Sequence, residues 1–378
     1  MFGFKKWFGK KDPIDPKQAF WNWFVKNEYR FREAMASLSG THEFLSELIA
    51  QMRPFNEWLK VLAGPYDETR FELIITADGD IAFFCKAEEL VAAAPSIKGW
   101  LITALKPPLG SEAMSIEMHG HRFDSEILRF YPLNNEYYPD EINIVVVHPD
   151  YKEEDYENFQ RGCLIYLQNA LGERNMAVQV DGVDVKGLPD PSDGIELIPI
   201  SKLRNYLIWR EKEFVEKYAN LDAVRPPESF GVLESTTSDG KPLFAVVDSG
   251  FKNWEYRSAY PWLATVEIAY EGNESGLPGN KSLLEMQQIE DDLMARLESR
   301  KLVFLIGHET HSSLRSIYFY TDQYNEVSKI VQDYLATISF GYKITFHIQK
   351  DKYWRVMDYF FNAAEPPDMD EEGEAGER

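Results

Sequence analysis

Hydrophobic side chains in the first sixty residues recur with the period of an α-helix. Phe20, Phe24, Phe31 and Met35 are spaced by four, seven and four positions, which places them on one helical face. A second apolar stripe runs through Phe44–Leu62 after a break at the preceding glycine. Because each stripe is apolar on one side only, the pattern predicts a pair of helices that pack into a core.

From Phe71 onwards the apolar positions follow the shorter period of β-strands. Phe71–Thr76 and Ile81–Cys85 flank Asp78 and Gly79, a turn dipeptide, so this segment predicts a hairpin. A helix is predicted for Glu153–Leu171. The other strands predicted in this half of the chain are Trp100–Leu105, Met114–His119, Ile127–Tyr131, Ile142–His148 and Ala177–Val180.

Paired prolines mark the predicted boundary between two domains. Ser201–Tyr218 is predicted to be a long helix, and Arg225, Pro226 and Pro227 follow it as a linker, because proline stops helices and sheets alike. The sequence therefore predicts the following order: a basic flexible leader (1–16), an N-terminal α+β domain opening with a helix pair (17–222), a C-terminal domain (228–360) and an acidic disordered tail (361–378).

The second domain shows the clearest alternation of strands and helices. Gly231–Ser235 and Leu243–Asp248 are predicted to form an entry hairpin. The elements predicted after it are, in order, Trp262–Tyr270 (strand), Ser282–Ser299 (helix), Leu302–Gly307 (strand), Ser316–Thr321 (strand), Tyr324–Ser339 (helix) and Tyr342–Gln349 (strand). This order predicts a ferredoxin-like unit, with two helices on one face of an antiparallel sheet. The predicted fold class is α+β, with two domains.

Composition and charge restrict the compartment and the partners. The chain has 378 residues and a formal net charge of −22, spread over the whole length. Such a surface repels a phosphate backbone, which disfavours general nucleic-acid binding and favours a basic protein partner. No apolar run reaches the ~20 residues of a transmembrane helix, and no secretory signal is recognisable. Together with two cysteines in this length, these features predict a cytoplasmic protein with reduced thiols.

The basic, aromatic leader allows two interpretations. Residues 1–11 contain four lysines together with Phe2, Phe4, Trp7 and Phe8. This combination is typical of a segment that contacts a membrane surface. A frayed terminus is the better interpretation, because eleven residues bury little apolar area.

Candidate chemistry is sparse. His119 with His121, and His308 with His311, are possible metal-binding pairs, but no cysteine or third histidine lies nearby in sequence, so polar turn or strand residues are the better interpretation. The carboxylate runs 153–155 and 290–292 are predicted to lie on solvated helix faces, where general acid–base catalysis is unfavourable. Phosphate-cradle and nucleophile-elbow motifs are not found. The sequence therefore assigns no catalytic, cofactor-binding or metal-ligating residue and implies no cofactor.

The second domain resembles a known bacterial family. The resemblance rests on Ala259–Leu263 (Ala-Tyr-Pro-Trp-Leu), the acidic helix Glu285–Glu298, the strand Leu302–Gly307 and the aromatic strand Ser316–Tyr320. Over residues 228–355 these features are similar to the domain-of-unknown-function 695 family. That family is similar in architecture to the regulator of ribonuclease E activity B proteins, small acidic cytoplasmic inhibitors of a nuclease, which is a fold-level analogy.

These observations lead to two hypotheses of different class. The first is an uncharacterised bacterial cytoplasmic protein that acts as a non-enzymatic interaction or regulatory module. The alternative is an enzyme with dispersed active-site residues in the cleft between the two predicted domains, since catalytic residues need not form a short motif. A stoichiometric basic partner would favour the first hypothesis, and a bound metabolite would favour the second.

Overall fold

The structure, a computed structural model, describes residues 14–37, 41–111, 114–218 and 223–363. Mixed helices and strands make it an α+β protein. The chain divides into two compact units between Pro107 and Pro108, so the predicted linker at 225–227 lies inside the second unit. Most of the predicted leader and tail, residues 1–13 and 364–378, lies outside the described residues.

The first unit packs two helices and a third, shorter one with a small sheet. Its elements are α1 (Pro16–Ser37), α2 (Thr41–Met52), β1 (Lys60–Pro65), β2 (Phe71–Thr76), α3 (Phe84–Ala92) and β3 (Trp100–Ala104). The sheet order is β1-β2-β3, with β1 antiparallel and β3 parallel to β2. The predicted apolar stripe of α1 is buried, and the Trp21 indole N–H donates to the carbonyl of Leu90 at 2.8 Å.

The prediction of a strand at Ile81–Cys85 was wrong. Ile81–Phe83 forms a 3₁₀ turn that continues directly into α3. The Asp80 side chain accepts a hydrogen bond from the backbone N–H of Ala82 and thereby caps the first turn. A short run that is apolar on every side fits a buried helix as well as a buried strand, which is why periodicity alone misassigned it.

The predicted helix Phe44–Leu62 also ends earlier than expected. α2 stops at Met52, and Lys60, Val61 and Leu62 belong to β1. Pro54 explains the early end, because proline disfavours helical geometry in the residue before it and removes a backbone donor.

The second unit begins with a hairpin, a four-stranded sheet and three helices. Its first elements are β4 (Ser115–Met118), β5 (His121–Asp124), β6 (Arg129–Leu133), β7 (Asn143–Val147), α4 (Tyr156–Leu171), α5 (Glu173–Gln179), β8 (Gly182–Lys186), β9 (Ile198–Pro199) and α6 (Leu203–Tyr218). The sheet order is β8-β7-β6-β9. The strand predicted at Ala177–Val180 was wrong, because those residues lie at the end of α5, and the strand follows as β8.

The rest of the second unit is built around an antiparallel sheet. Its elements are β10 (Phe230–Thr236), β11 (Pro242–Asp248), β12 (Trp262–Ala269), α7 (Asn280–Glu298), β13 (Phe304–His311), β14 (Leu314–Thr321), α8 (Tyr324–Leu335), β15 (Lys343–Lys350) and α9 (Arg355–Ala363). The strand order is β10-β11-β13-β14-β12-β15, and each neighbouring pair is antiparallel. The prediction that the strands near 262–270 and 342–349 belong to one antiparallel sheet is confirmed, and the two strands are direct neighbours in it.

Helices cover the two faces of this sheet differently. Trp262 of β12 contacts the ring of Tyr324, the first residue of α8, at 4.8 Å between centroids. The adjacent Leu263 points to the other face, where it shares a buried cluster with Trp354 and Met357 of the α9 region. The sequence pattern did not predict α9. The Asp351 side chain initiates it by accepting hydrogen bonds from the N–H groups of Arg355 and Val356.

One glycine is required by the sheet itself. Gly307 lies at a register shift in β13 with φ of 150°, and an ideal Cβ there would lie 1.9 Å from the carbonyl oxygen of Val246 on β11. Only a residue without a side chain permits this approach of two strands.

A buried ionic cluster explains why the chain does not divide at 225–227. The Asp181 carboxylate lies 3.0 Å from Lys350 Nζ and 2.7 Å from Lys352 Nζ, and it accepts a 2.6 Å hydrogen bond from the N–H of Ile142. The three charged side chains are 10, 11 and 6% exposed, respectively. Burial raises the pKa of Asp181, but the two ammonium groups outweigh it and the pKa lies below its usual range.

A second set of contacts joins the same two stretches of the chain. Asp140 pairs with Lys217 at 2.8 Å and accepts a 3.1 Å hydrogen bond from the Tyr353 hydroxyl. The neighbouring Glu141 pairs with Arg355 at 2.6 Å. These interactions tie residues 140–218 to residues 350–355, so both stretches belong to one unit.

Candidate functional site

The first predicted histidine pair does not converge on a common point. His119 occupies the turn between β4 and β5 with φ of 52°, whereas the His121 ring packs against Phe159 at 4.4 Å. The buried His148 lies behind them, with Nε2 3.0 Å from the carbonyl oxygen of Arg122. Burial lowers the pKa of His148, which suits a neutral ring with a structural role.

The second pair, His308 and His311, is separated by the alternation of β13. Residues three positions apart in a strand point to opposite faces, so the two rings cannot bind one ion together. His308 contacts Glu290 on α7, whereas His311 lies 3.9 Å from Glu309. Among the residues that the structure describes, no group of three or more His, Cys, Asp or Glu side chains could hold a metal ion.

Both cysteines are buried thiols. Burial raises the pKa of the Cys163 thiol to about 12, so the thiolate that nucleophilic chemistry needs is strongly disfavoured. Neither side chain contributes to a candidate site.

The two carboxylate runs have different environments. Glu153, Glu154 and Asp155 form the exposed turn before α4, as the sequence predicted. In the second run, Glu290 is only 5% exposed, and the prediction of a solvated residue was wrong. Its position one turn after Met286 places it on the buried stripe of α7.

Glu290 joins two strands through a buried polar cluster. Its Oε1 lies 3.1 Å from His308 Nδ1 on β13, and its Oε2 accepts a 2.7 Å hydrogen bond from Arg315 Nη2 on β14. Arg315 also donates to Gln287 Oε1 at 3.3 Å. Burial raises the pKa of Glu290, but His308 and Arg315 together hold it below its usual range. The cluster fixes the orientation of the His308 ring, with Nδ1 towards the carboxylate.

The outer strand of the sheet presents a different kind of site. Within the described part of the chain, β10 pairs with β11 and forms the end of the sheet. One row of its backbone N–H and C=O groups therefore faces away from the sheet. Phe230 and Val232 project from β10 with 48 and 68% of their surface exposed.

The strand register assigns these two side chains to the face that carries α7. Val232 lies opposite Val246 of β11, which in turn lies opposite His308 of β13, and His308 contacts α7. Gly231 and Leu233 alternate with them and point to the α9 face. Neither the edge position nor the exposure could be read from the alternating pattern of the strand.

On the α9 face, a groove of about 190 Å³ opens beside β10. Gly231 and Leu233 line one side, and Phe360 and Phe361 of α9 line the other. An ideal Cβ at Gly231 would meet no heavy atom within 4 Å, so the space above this residue is open.

Filling this space should stabilise the protein. We expect Gly231→Val to raise the free energy of unfolding by about 0.4–1 kcal/mol, because valine restricts the unfolded chain and favours strand geometry. Urea titration of the variant and the wild type measures the difference. A destabilised Gly231→Val variant would show that the groove is not open.

The comparison with protein families supports the assignment of the C-terminal region. The matched range, residues 233–361, runs from the middle of β10 to near the end of α9. These residues match the model of a family of unknown function, DUF695. The resemblance inferred from sequence is thus confirmed. The Glu290 cluster lies within the DUF695 region, whereas Phe230 and Val232 of the β10 edge lie just before it. The likeness to the regulator of ribonuclease E activity B proteins stays a prediction.

Other comparisons add little. No curated protein and no solved structure matches the chain. None of the helices in the described residues is long and apolar enough to cross a membrane.

Proposed function

We propose that this protein is a non-enzymatic interaction module that binds a basic protein partner. The observation that carries the proposal is the free edge of β10, where exposed Phe230 and Val232 lie beside backbone groups that no other strand of the described residues pairs. Exposed apolar side chains at a sheet edge are unfavourable for an isolated protein and are typical of a binding surface.

Charge supports the choice of partner. A net charge of −22 attracts a basic surface over a distance comparable to the Debye length and accelerates the encounter. The same charge repels nucleic acid. The proposal places the interaction in the bacterial cytoplasm, and the two buried thiols support that compartment.

The proposal predicts a salt-sensitive complex. The tagged full-length chain should retain a basic protein at one-to-one stoichiometry from an extract of its native host, and their affinity should fall as salt rises. The reason is that the Debye length shrinks from about 10 Å at 0.1 M to about 3 Å at 1 M ionic strength. Titration calorimetry across a salt series measures this. Retention of a stoichiometric metabolite and no protein would overturn the proposal.

The fold interpretation is part of the same proposal. The C-terminal region is a ferredoxin-like unit with two additional strands, β10 and β11, at one side. The antiparallel order β13-β14-β12-β15 supports this interpretation. The family match over 233–361 supports a module close to the predicted limits of 228–360.

An enzyme with dispersed active-site residues is the second candidate. The observation that favours it is the contact between Glu290 and His308, since a carboxylate that orients an imidazole assists general base catalysis. This contact lies inside the DUF695 region, whereas the sequence hypothesis located the active site in the cleft between the predicted domains. Retention of a metabolite by wild type but not by His308→Gln would favour the enzyme.

A further inference from the structure

We infer that the partner binds by adding an extended segment of its own chain to the free edge of β10, antiparallel to that strand. This inference rests on the proposed function and specifies its mode. Backbone hydrogen bonds would supply affinity along Phe230–Thr236, and the side chains on both faces would supply specificity. The two faces of β10 define which residue types the partner segment must carry.

On the α7 face, β10 presents two apolar side chains followed by a carboxylate. Phe230, Val232 and Glu234 are two positions apart and therefore point to the same side. Glu234 is the single charged residue in the strand. An antiparallel segment complements this face when it reads basic-x-apolar-x-apolar, since opposite charges and apolar pairs stabilise directly opposed positions.

On the α9 face, the groove beside Gly231 accepts a side chain from the added strand. The segment's residue opposite Gly231 points into the open space of about 190 Å³ between Leu233 and the two phenylalanines of α9. An apolar residue of moderate size fits there. The complete pattern is therefore basic, any residue, apolar, apolar, apolar.

Charge argues against a second copy of this chain as the occupant. In antiparallel self-pairing, the registers that cover the exposed apolar side chains place Glu234 against an apolar side chain or against another glutamate. Each such arrangement leaves the carboxylate without a counter-charge. A segment with lysine or arginine at that position has no such conflict.

The test uses a displayed library of random nine-residue peptides and the full-length chain. Peptides selected on the wild type should carry the basic-x-apolar-apolar-apolar pattern. Their affinity should fall by about tenfold or more for Val232→Lys, because an edge lysine blocks strand addition. Leu284→Lys is the matched control, since Leu284 is 72% exposed and belongs to α7, and this variant should bind the peptides as the wild type does.

A charge reversal makes the test more specific. Glu234→Lys should select peptides with an acidic residue in place of the basic one. Thermal melting confirms that each variant is folded, and since all three positions are exposed, little change is expected.

The remaining outcomes overturn the inference in distinguishable ways. Basic peptides that lack the three apolar positions and bind wild type and Val232→Lys equally would overturn strand addition and leave the proposed function intact. Selection of peptides without basic residues, or no selection, would overturn both. A wild type that dimerises, with a monomeric Val232→Lys variant, would show that a second copy occupies the edge.

Discussion

Replacing Asp181 by asparagine should destabilise the second unit by about 3–5 kcal/mol. The substitution keeps the size of the side chain and removes the charge that Lys350 and Lys352 share. Two ammonium groups would then remain buried next to each other. Removing one member of a buried ionic cluster lowers stability by more than the intact cluster contributes to it, because the remaining buried charges lose their counter-charge. Denaturant unfolding followed by tryptophan fluorescence measures the effect.

Lys350→Met is the matched control for this prediction. It removes one of the two cations and leaves Asp181 paired with Lys352 at 2.7 Å, so the expected change is small. Adding Lys350→Met to Asp181→Asn should recover part of the lost stability. If both single variants lose the same free energy of unfolding, the cluster acts through packing and not through charge.

The same cluster predicts a dependence of stability on pH. Burial lowers the pKa of Lys350 to about 8, below its usual 10.5, although Asp181 opposes the shift. Between these two values the unfolded chain binds the proton more tightly than the folded chain, so the Lys350 contribution to stability rises with pH across that window. In Lys350→Met this rise should be absent. If the dependence of stability on pH is the same in Lys350→Met and the wild type, Lys350 is not the cause of the rise.

Glu290→Gln should lower the free energy of unfolding by a comparable amount, about 3–5 kcal/mol, for a related reason. The Arg315 guanidinium is almost completely buried and loses its carboxylate partner in this variant. Asp291→Asn is the control, because this neighbouring carboxylate is exposed and its change should stay within about 0.5 kcal/mol. If the two variants are equally stable, the Glu290 cluster does not stabilise the sheet.

Acid should distinguish these two variants further. The pKa of Glu290 lies below its usual value, so its contribution to stability is complete above the unfolded pKa and is lost as pH falls through the folded one. Glu290→Gln lacks this loss. The wild type and Asp291→Asn should therefore converge towards Glu290→Gln in stability as the solution is acidified.

Sequence periodicity identified most of the DUF695 region because its elements are long and amphipathic. α7 and α8 bury one stripe each, and β12 alternates from Ala264 to its end, so their types could be assigned without knowledge of the neighbours. Short segments that are apolar on all sides, such as Ile81–Phe83, gave no such signal. The capping carboxylate of Asp80 was the available clue to a helix there.

The candidate sites depend on contacts that are distant in sequence. The burial of Glu290 could have been suspected from its helical spacing to Met286, but its partners on β13 and β14 depend on the strand register. The edge position of β10 depends on which strands pair with β11, and α9, which lines the groove, was not predicted at all. Such long-range arrangements leave no trace in the local pattern of one strand.

Hydrogen exchange on the full-length chain, alone and saturated with the basic partner retained from its host, tests the central claim most directly. Strand addition protects backbone amides at the edge that it covers. The account predicts slower exchange concentrated in Phe230–Thr236, with little change along α7. Protection at other surfaces, with unchanged exchange in β10, would contradict it.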